Sequence, residues 1–133
     1  MLGIAGLYVQ SMQAGRTSML RHHAVTLAGD IADRIRANPL AGAAYTASPG
    51  QDNGCVGPAA NCDIAQMAAH DIFLWQAHAN DFLPPMADGS DQVVVTLNAA
   101  ALPPTFTITV RWDEPTPDNV PPSYTILVPV NPF

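Results

Sequence analysis

The sequence predicts an α+β fold, in which one long N-terminal helix packs on a small antiparallel sheet of three or more strands. Three patterns lead to this prediction: an apolar stripe with helical spacing before residue 38, a second helical pattern over residues 64–82, and alternating strand patterns after residue 92. The length of 133 residues fits a single domain. We expect residues 1–38 to form the N-terminal helix and residues 39–133 to form a globular head, with the second helix in the connecting region.

The first helix is predicted to run from Leu2 to about Ala37. Leu27, Ile31 and Ile35 recur every four residues, which places one apolar stripe along the second half of the helix. The helix should end at Asn38, because the residue before a proline is pushed out of the helical region. Two ion pairs are expected on the opposite face: Asp30 with Arg34, and Asp33 with Arg36.

The first half of this helix is apolar on nearly all sides, and such a segment is usually buried in a helix bundle or a bilayer. We therefore assign its large apolar residues to packing against other subunits or lipid: Leu2, Ile4, Leu7 and Met12. A membrane span needs about 20 apolar residues, and only residues 1–9 form such a run. We expect a hydrophobic segment to precede Met1 in the native protein.

Two cysteines, Cys55 and Cys62, lie in a segment rich in glycine, proline and asparagine. A metal site would need further ligands nearby, and no ligand pattern with C-x-x-C or H-x-x-x-H spacing occurs. A local disulfide between Cys55 and Cys62 is the favoured interpretation over a metal site. A disulfide implies an oxidising compartment, such as a periplasm or a cell surface.

The second helix is predicted from Ile64 to Phe82. Asp63 is a candidate N-cap, and Gln66 three residues later completes a capping box. The sequence Leu83-Pro84-Pro85 ends the helix. The predicted apolar stripe consists of Ile64, Ala68, Ile72, Trp75, Ala79 and Phe82.

Three strands are predicted over residues 92–97, 105–112 and 124–130. Large apolar residues alternate with polar ones along the second strand, which is typical of a sheet with one wet face. The third strand contains Pro129, which cannot donate to a ladder, so this strand should lie at an edge. We expect the stripe of the first helix to cover the apolar face, and the helix-to-sheet core to contain Leu27, Ile31, Ile35, Phe106, Ile108 and Val110.

Charge and motifs exclude several functional classes. The chain has no lysine; residues 1–39 carry four arginines and two aspartates, a net charge of +2, whereas the remainder carries one arginine and nine acidic residues, a net charge of −8. Such an acidic head is unsuited to nucleic acid. No nucleophile elbow or phosphate-binding loop occurs, and His70 and His78 are about 12 Å apart along a helix. We predict neither enzymatic activity nor a cofactor or metal.

Several segments resemble the PilV family of type IV pilus minor pilins. Residues 2–7 (Leu-Gly-Ile-Ala-Gly-Leu) and 28–39 (Ala-Gly-Asp-Ile-Ala-Asp-Arg-Ile-Arg-Ala-Asn-Pro) are similar to the first helix of that family. Cys62-Asp63 with residues 67–75 resembles its segment of a cysteine before a helix, and residues 106–113 resemble its central strand. The resemblance implies a type IV pilin-like fold.

The resemblance also implies a function as a non-catalytic structural subunit that joins a minor-pilin complex to prime pilus assembly or form the pilus tip. Its implied partners are other minor pilins, the major pilin and a pilus-tip adhesin. Such proteins are cut from a leader, methylated, anchored in the inner membrane facing the periplasm, and then assembled into pili at the cell surface. The leader, the processed Phe and the acidic fifth mature residue are not found in this sequence.

Two other interpretations stay open. A minor pseudopilin of a type II secretion system would share the same architecture. An unrelated periplasmic binding or adhesive module would be favoured by an apolar pocket that takes a small molecule.

Overall fold

In the computed structural model, which describes residues 2–47, 49–57 and 60–130, the chain forms two α-helices, a 3₁₀ helix and a three-stranded sheet. In chain order these are α1 (Leu2–Ala37), the 3₁₀ helix (Pro39–Thr46), α2 (Ile64–Phe82), β1 (Val93–Asn98), β2 (Thr105–Arg111) and β3 (Ser123–Pro129). Side chains are described from residue 9 onward. The predicted α+β class, with a long N-terminal helix on an antiparallel sheet, is confirmed.

Helix α1 ends at Ala37, the residue before Asn38, as the proline signal predicts. Its second half lies on one face of the sheet and contacts both β2 and β3. Arg36 pairs with Asp33 at 3.7 Å, as expected. The predicted pairing of Arg34 with Asp30 is wrong. The Arg34 guanidinium lies 3.9 Å from Asp71 of α2 instead. Arg34 lies on the flank of α1 that faces α2, so the buried carboxylate there attracts it.

The sheet has the order β1-β2-β3, and both pairings are antiparallel. Ile108 at the centre of β2 is opposite Val95 on one side and Ile126 on the other. The inward-facing residues of β2 are buried and the intervening ones are half-buried, which confirms the predicted alternation. Strand β3 lies at an edge of the sheet, as its proline predicts.

The 3₁₀ helix was not predicted, because half of residues 39–46 are alanine or glycine and the segment has no apolar periodicity. It is kinked at Gly42, whose φ of 50° lies in the left-handed region that favours glycine. It carries the buried Tyr45 and contacts α2 and β1. The 3₁₀ helix therefore covers the outer side of β1.

Helix α2 begins with the predicted capping box. The Asp63 carboxylate accepts from the Gln66 backbone N–H at 2.7 Å, and the Gln66 side chain accepts from the Asp63 N–H at 3.0 Å. The predicted apolar stripe of α2 is confirmed at its centre, where Ala68, Ile72, Trp75 and Ala79 are buried. It is wrong at both ends, since Ile64 and Phe82 are about half exposed. The Phe82 ring lies beside the rings of His23 on α1 and His78 on α2, with centroids 5.2 Å and 4.5 Å away.

Candidate functional site

The first half of α1 is exposed along its described side chains and meets the connection between β2 and β3 at Thr17. Every described side chain from residue 9 to residue 19 is exposed, and Leu20 is the first buried one. The exposed residues include large apolar side chains, namely Val9, Met12 and Met19. Met12, which the sequence assigns to subunit or membrane packing, is 61% exposed. The side chains of Leu2, Ile4 and Leu7, which share that assignment, lie outside the described side chains.

The second half of α1 attaches to the sheet. The structure brings together all six residues that the sequence assigns to the helix-to-sheet core, and each is at most 2% exposed: Leu27, Ile31, Ile35, Phe106, Ile108 and Val110. Small residues between them, such as Ala24 and Ala28, are also fully buried and allow the helix backbone to approach the sheet closely. The helix is therefore divided into an exposed half and a half buried in the core.

A hydrogen-bonded group joins the two halves of α1 to the connection between β2 and β3. The Thr17 hydroxyl donates to one carboxylate oxygen of Glu114, and Trp112 Nε1 donates to the other at 2.9 Å. The guanidinium carbon of Arg21 lies 5.8 Å from the centre of the Trp112 ring. The bonds from Thr17 and Trp112 hold the pKa of Glu114 below its ordinary value. Thr17 and Arg21 of this group flank Leu20, the first buried residue, and fix α1 against the sheet there.

Cys55 and Cys62 form a disulfide, as the sequence analysis favours. The preceding segment lies on α2: the Gln51 N–H donates to the Ala69 carbonyl at 3.0 Å, and the Asn53 amide donates to the Gln66 carbonyl at 3.0 Å. Gly50 packs so closely on α2 that a Cβ there would clash with the backbone of Ala69 and Phe73. The disulfide thus closes a loop that is already bound to the first turns of α2.

A buried polar cluster, missed by the sequence analysis, lies where α1, the 3₁₀ helix and α2 meet. The Tyr45 hydroxyl donates to Asp71 at 2.9 Å and accepts from the Asn38 amide at 3.3 Å. Burial raises the pKa of Tyr45, and the neighbouring Asp71 adds to the effect. Asp71 itself is only 4% exposed. An acidic residue four positions before Trp75, on the apolar face of α2, was the available signal for this cluster.

Among the described residues, no group of three or more His, Cys, Asp and Glu side chains is placed to hold a metal ion. His70 is buried, with Nδ1 accepting from the Asn53 N–H at 3.3 Å, and its Nε2 has no hydrogen-bond partner in the described part of the chain. A cleft of about 320 Å³ lies beside the polar cluster, between Arg34 and Met67. Among the described residues, no helix combines the length and hydropathy that crossing a bilayer requires.

Comparison with known proteins shows that α1 and the disulfide segment match a known protein family. The family model described as type IV pilin Tt1218 matches residues 6–73, which is slightly more than half of the chain. The match covers α1 from its second turn, the 3₁₀ helix, the disulfide loop and the first half of α2. Searches of the curated proteins and of the solved structures found no match. The chain therefore belongs to the Tt1218-like family of type IV pilins.

Proposed function

We propose that this pilin is a minor pilin of the PilV type, which joins a complex of minor pilins that primes pilus assembly or forms the tip of the pilus. The observation that carries the proposal is the division of α1. A row of exposed residues that includes Val9, Met12 and Met19 precedes a half that is locked into the core. Apolar side chains exposed along one helix favour packing against other helices.

The assignment to minor rather than major pilins rests on the sequence. The segments at residues 2–7 and 28–39 resemble the first helix of the PilV family. The implied partners are other minor pilins, the major pilin and a tip adhesin. The implied location is the inner membrane, facing the periplasm, before assembly and the pilus at the cell surface after it. The disulfide agrees with a protein that reaches an oxidising compartment.

Gene deletion and complementation test the priming role. Deletion should strongly reduce the number of surface pili and abolish twitching motility, while the pili that remain keep their ordinary diameter. The wild-type gene should restore both, whereas Met12→Asp should not, because a charge at this exposed position would have to be buried between helices in the fibre. Electron microscopy and a twitching assay measure the result.

The matched control is Gln13→Asp, which places the same charge on the adjacent exposed residue, whose side chain is already polar. It should restore piliation nearly as well as the wild-type gene. Immunoblots of sheared pili should show the protein far below the level of the major pilin. Normal pili with a loss of protein secretion would contradict the proposal and indicate a minor pseudopilin of a type II secretion system.

A further inference from the structure

An open cleft lies where the end of α1 meets the first turns of α2, beside the buried polar cluster. Its volume is about 320 Å³, which is at the small end of the range for ligand pockets. Ala37 of α1 and Ile64 and Met67 of α2 provide apolar walls. The cleft therefore suits one small molecule, or one side chain of another protein, that has an apolar part.

Asp71 lines this cleft with a carboxylate whose hydrogen bonding is incomplete. Asp71 is only 4% exposed, and its Oδ2 accepts from the Tyr45 hydroxyl at 2.9 Å. The other oxygen, Oδ1, has no hydrogen-bond donor among the described residues. The Arg34 guanidinium lies 3.9 Å from Oδ1, which is too far for a hydrogen bond. A buried carboxylate in this state favours a ligand that donates to Oδ1.

The charges around the cleft favour a cation over an anion. Of the charged side chains that line it, Asp63 and Asp71 are acidic and Arg34 is basic. Asp63 caps the N-terminus of α2 and thus offsets the positive end of that helix. The end of α1 contributes negative potential, because no backbone N–H of the described residues donates to the carbonyls of Arg36 and Ala37.

Arg34 does not close the site to such a cation. Its side chain is 55% exposed, and Asp71 is its only ionic partner among the described residues. An ion pair with one exposed member and no hydrogen bond contributes little to stability, so a second cation displaces it easily. The guanidinium can then turn into solvent while the ligand lies beside Oδ1.

We propose that this cleft binds a primary alkylammonium group. The ammonium donates to Oδ1 of Asp71 in a charge-assisted hydrogen bond, and the alkyl chain packs against Ile64 and Met67. A lysine side chain of another polypeptide and a free alkylamine share this chemistry. This chain contains no lysine, so the group comes from another molecule. The inference does not depend on the assignment to minor pilins.

The probe for this site is n-butylammonium, which reproduces the end of a lysine side chain. In an NMR titration, the backbone amides of Asn38, Met67 and Asp71 should shift and saturate at millimolar concentrations. Tetramethylammonium has the same charge without an N–H group, and 1-butanol has no charge. Both should bind about tenfold more weakly. Equal binding of tetramethylammonium would overturn the proposal, because charge alone would then account for the shifts.

Arg34→Gln and Arg36→Gln form a matched pair of variants at the end of α1. The two side chains are equally exposed, at 55%, so neither substitution should alter the fold. Arg34→Gln removes the competing guanidinium and should tighten the binding of n-butylammonium about threefold. Arg36→Gln should leave it unchanged, because that guanidinium pairs with Asp33. Weaker binding by Arg34→Gln, or equal effects of the two variants, would overturn the proposal.

The two carboxylates of the cleft are tested in the same way. Asp71→Asn keeps an oxygen for the Tyr45 hydroxyl but removes the charge, and it should weaken binding about tenfold. Asp63→Asn keeps a side chain that caps α2 and should weaken binding less than about threefold. Circular dichroism checks that both variants are folded, and unchanged binding by folded Asp71→Asn would contradict the proposal.

A lysine derivative distinguishes the two sources of the ammonium group. N-acetyl-lysine methylamide carries the same butylammonium group on a peptide backbone. If it binds as tightly as n-butylammonium, the ligand is a lysine side chain of another polypeptide. If only n-butylammonium binds, the ligand is a free alkylamine. Both results support the site, whereas binding of neither compound would overturn it.

Discussion

At the scale of single residues, Asp71 is the least expected feature, because a carboxylate lies in the middle of the apolar face of α2. It is held by the Tyr45 hydroxyl, while Arg34 approaches only to 3.9 Å. We expect Tyr45→Phe to leave Asp71 without its closest donor and to destabilise the fold by about 1–3 kcal/mol. Urea denaturation measures the difference.

Tyr124→Phe is the matched control for this substitution. Tyr124 on β3 is half-buried, and its hydroxyl makes no hydrogen bond to the described residues. The control should therefore stay within about 0.5 kcal/mol of the wild type. Equal losses in the two variants would show that the polar cluster does not stabilise the fold through the Tyr45 hydroxyl.

Glu114 makes stability depend on pH. Its hydrogen bonds to Thr17 and Trp112 lower its pKa below the ordinary 4.5, so the folded state favours the ionised carboxylate. The resulting stabilisation is fully present above pH 4.5 and is lost as the pH falls through the lower pKa of the folded state. Glu114→Gln should thus be less stable than the wild type at pH 7, and the difference should vanish in acid. Denaturation at a series of pH values tests this, and a constant difference would contradict it.

At the scale of elements, predictions from sequence succeed where one physical signal dominates. The proline after Asn38 places the end of α1, and the capping box at Asp63 places the start of α2. Several strand ends differ from the predicted ones by one residue, although Trp112 and Val130, just beyond β2 and β3, still donate backbone hydrogen bonds to Pro122 and Pro104. The 3₁₀ helix and the Tyr45 cluster have no periodic signal, since contacts between distant segments create them.

The disulfide loop allows a test at the same scale. The loop closed by Cys55 and Cys62 is short, so the chain-entropy model gives it a stabilisation of about 2–3 kcal/mol. The Cys55→Ser/Cys62→Ser variant should lose that amount in a thermal melt. It should keep the helical signal in circular dichroism, because Gln51 and Asn53 still bind α2. Mass spectrometry of non-reduced wild-type protein should show the linked peptides, and two free thiols would contradict the pairing.

At the scale of the whole molecule, residues 1–133 are predicted to unfold as one domain. The core joins residues of α1, the 3₁₀ helix, α2 and all three described strands. Calorimetry should therefore show a single transition. Ile31→Asp should destabilise it by about 3 kcal/mol or more, because Ile31 is fully buried and the new charge would have no partner.

Met12→Asp is the counterpart in the exposed half of α1. It should leave the melting transition nearly unchanged, within about 0.5 kcal/mol, while impairing pilus assembly. Equal loss of thermal stability in Met12→Asp and Ile31→Asp would show that α1 is not divided as described. Two transitions in the calorimeter would show that the chain is not a single domain.

The attachment of α1 has a mechanical consequence for a fibre that bears tension. From Thr17, beside the connection between β2 and β3, to Ile35, the helix runs along the sheet that it covers. A pull on its exposed half loads the buried contacts of this segment in shear, so that they share the force and must yield together. The disulfide loop, bound to α2, lies outside this load path. We therefore expect resistance to extension to depend on the packing of α1 against the sheet and not on the disulfide.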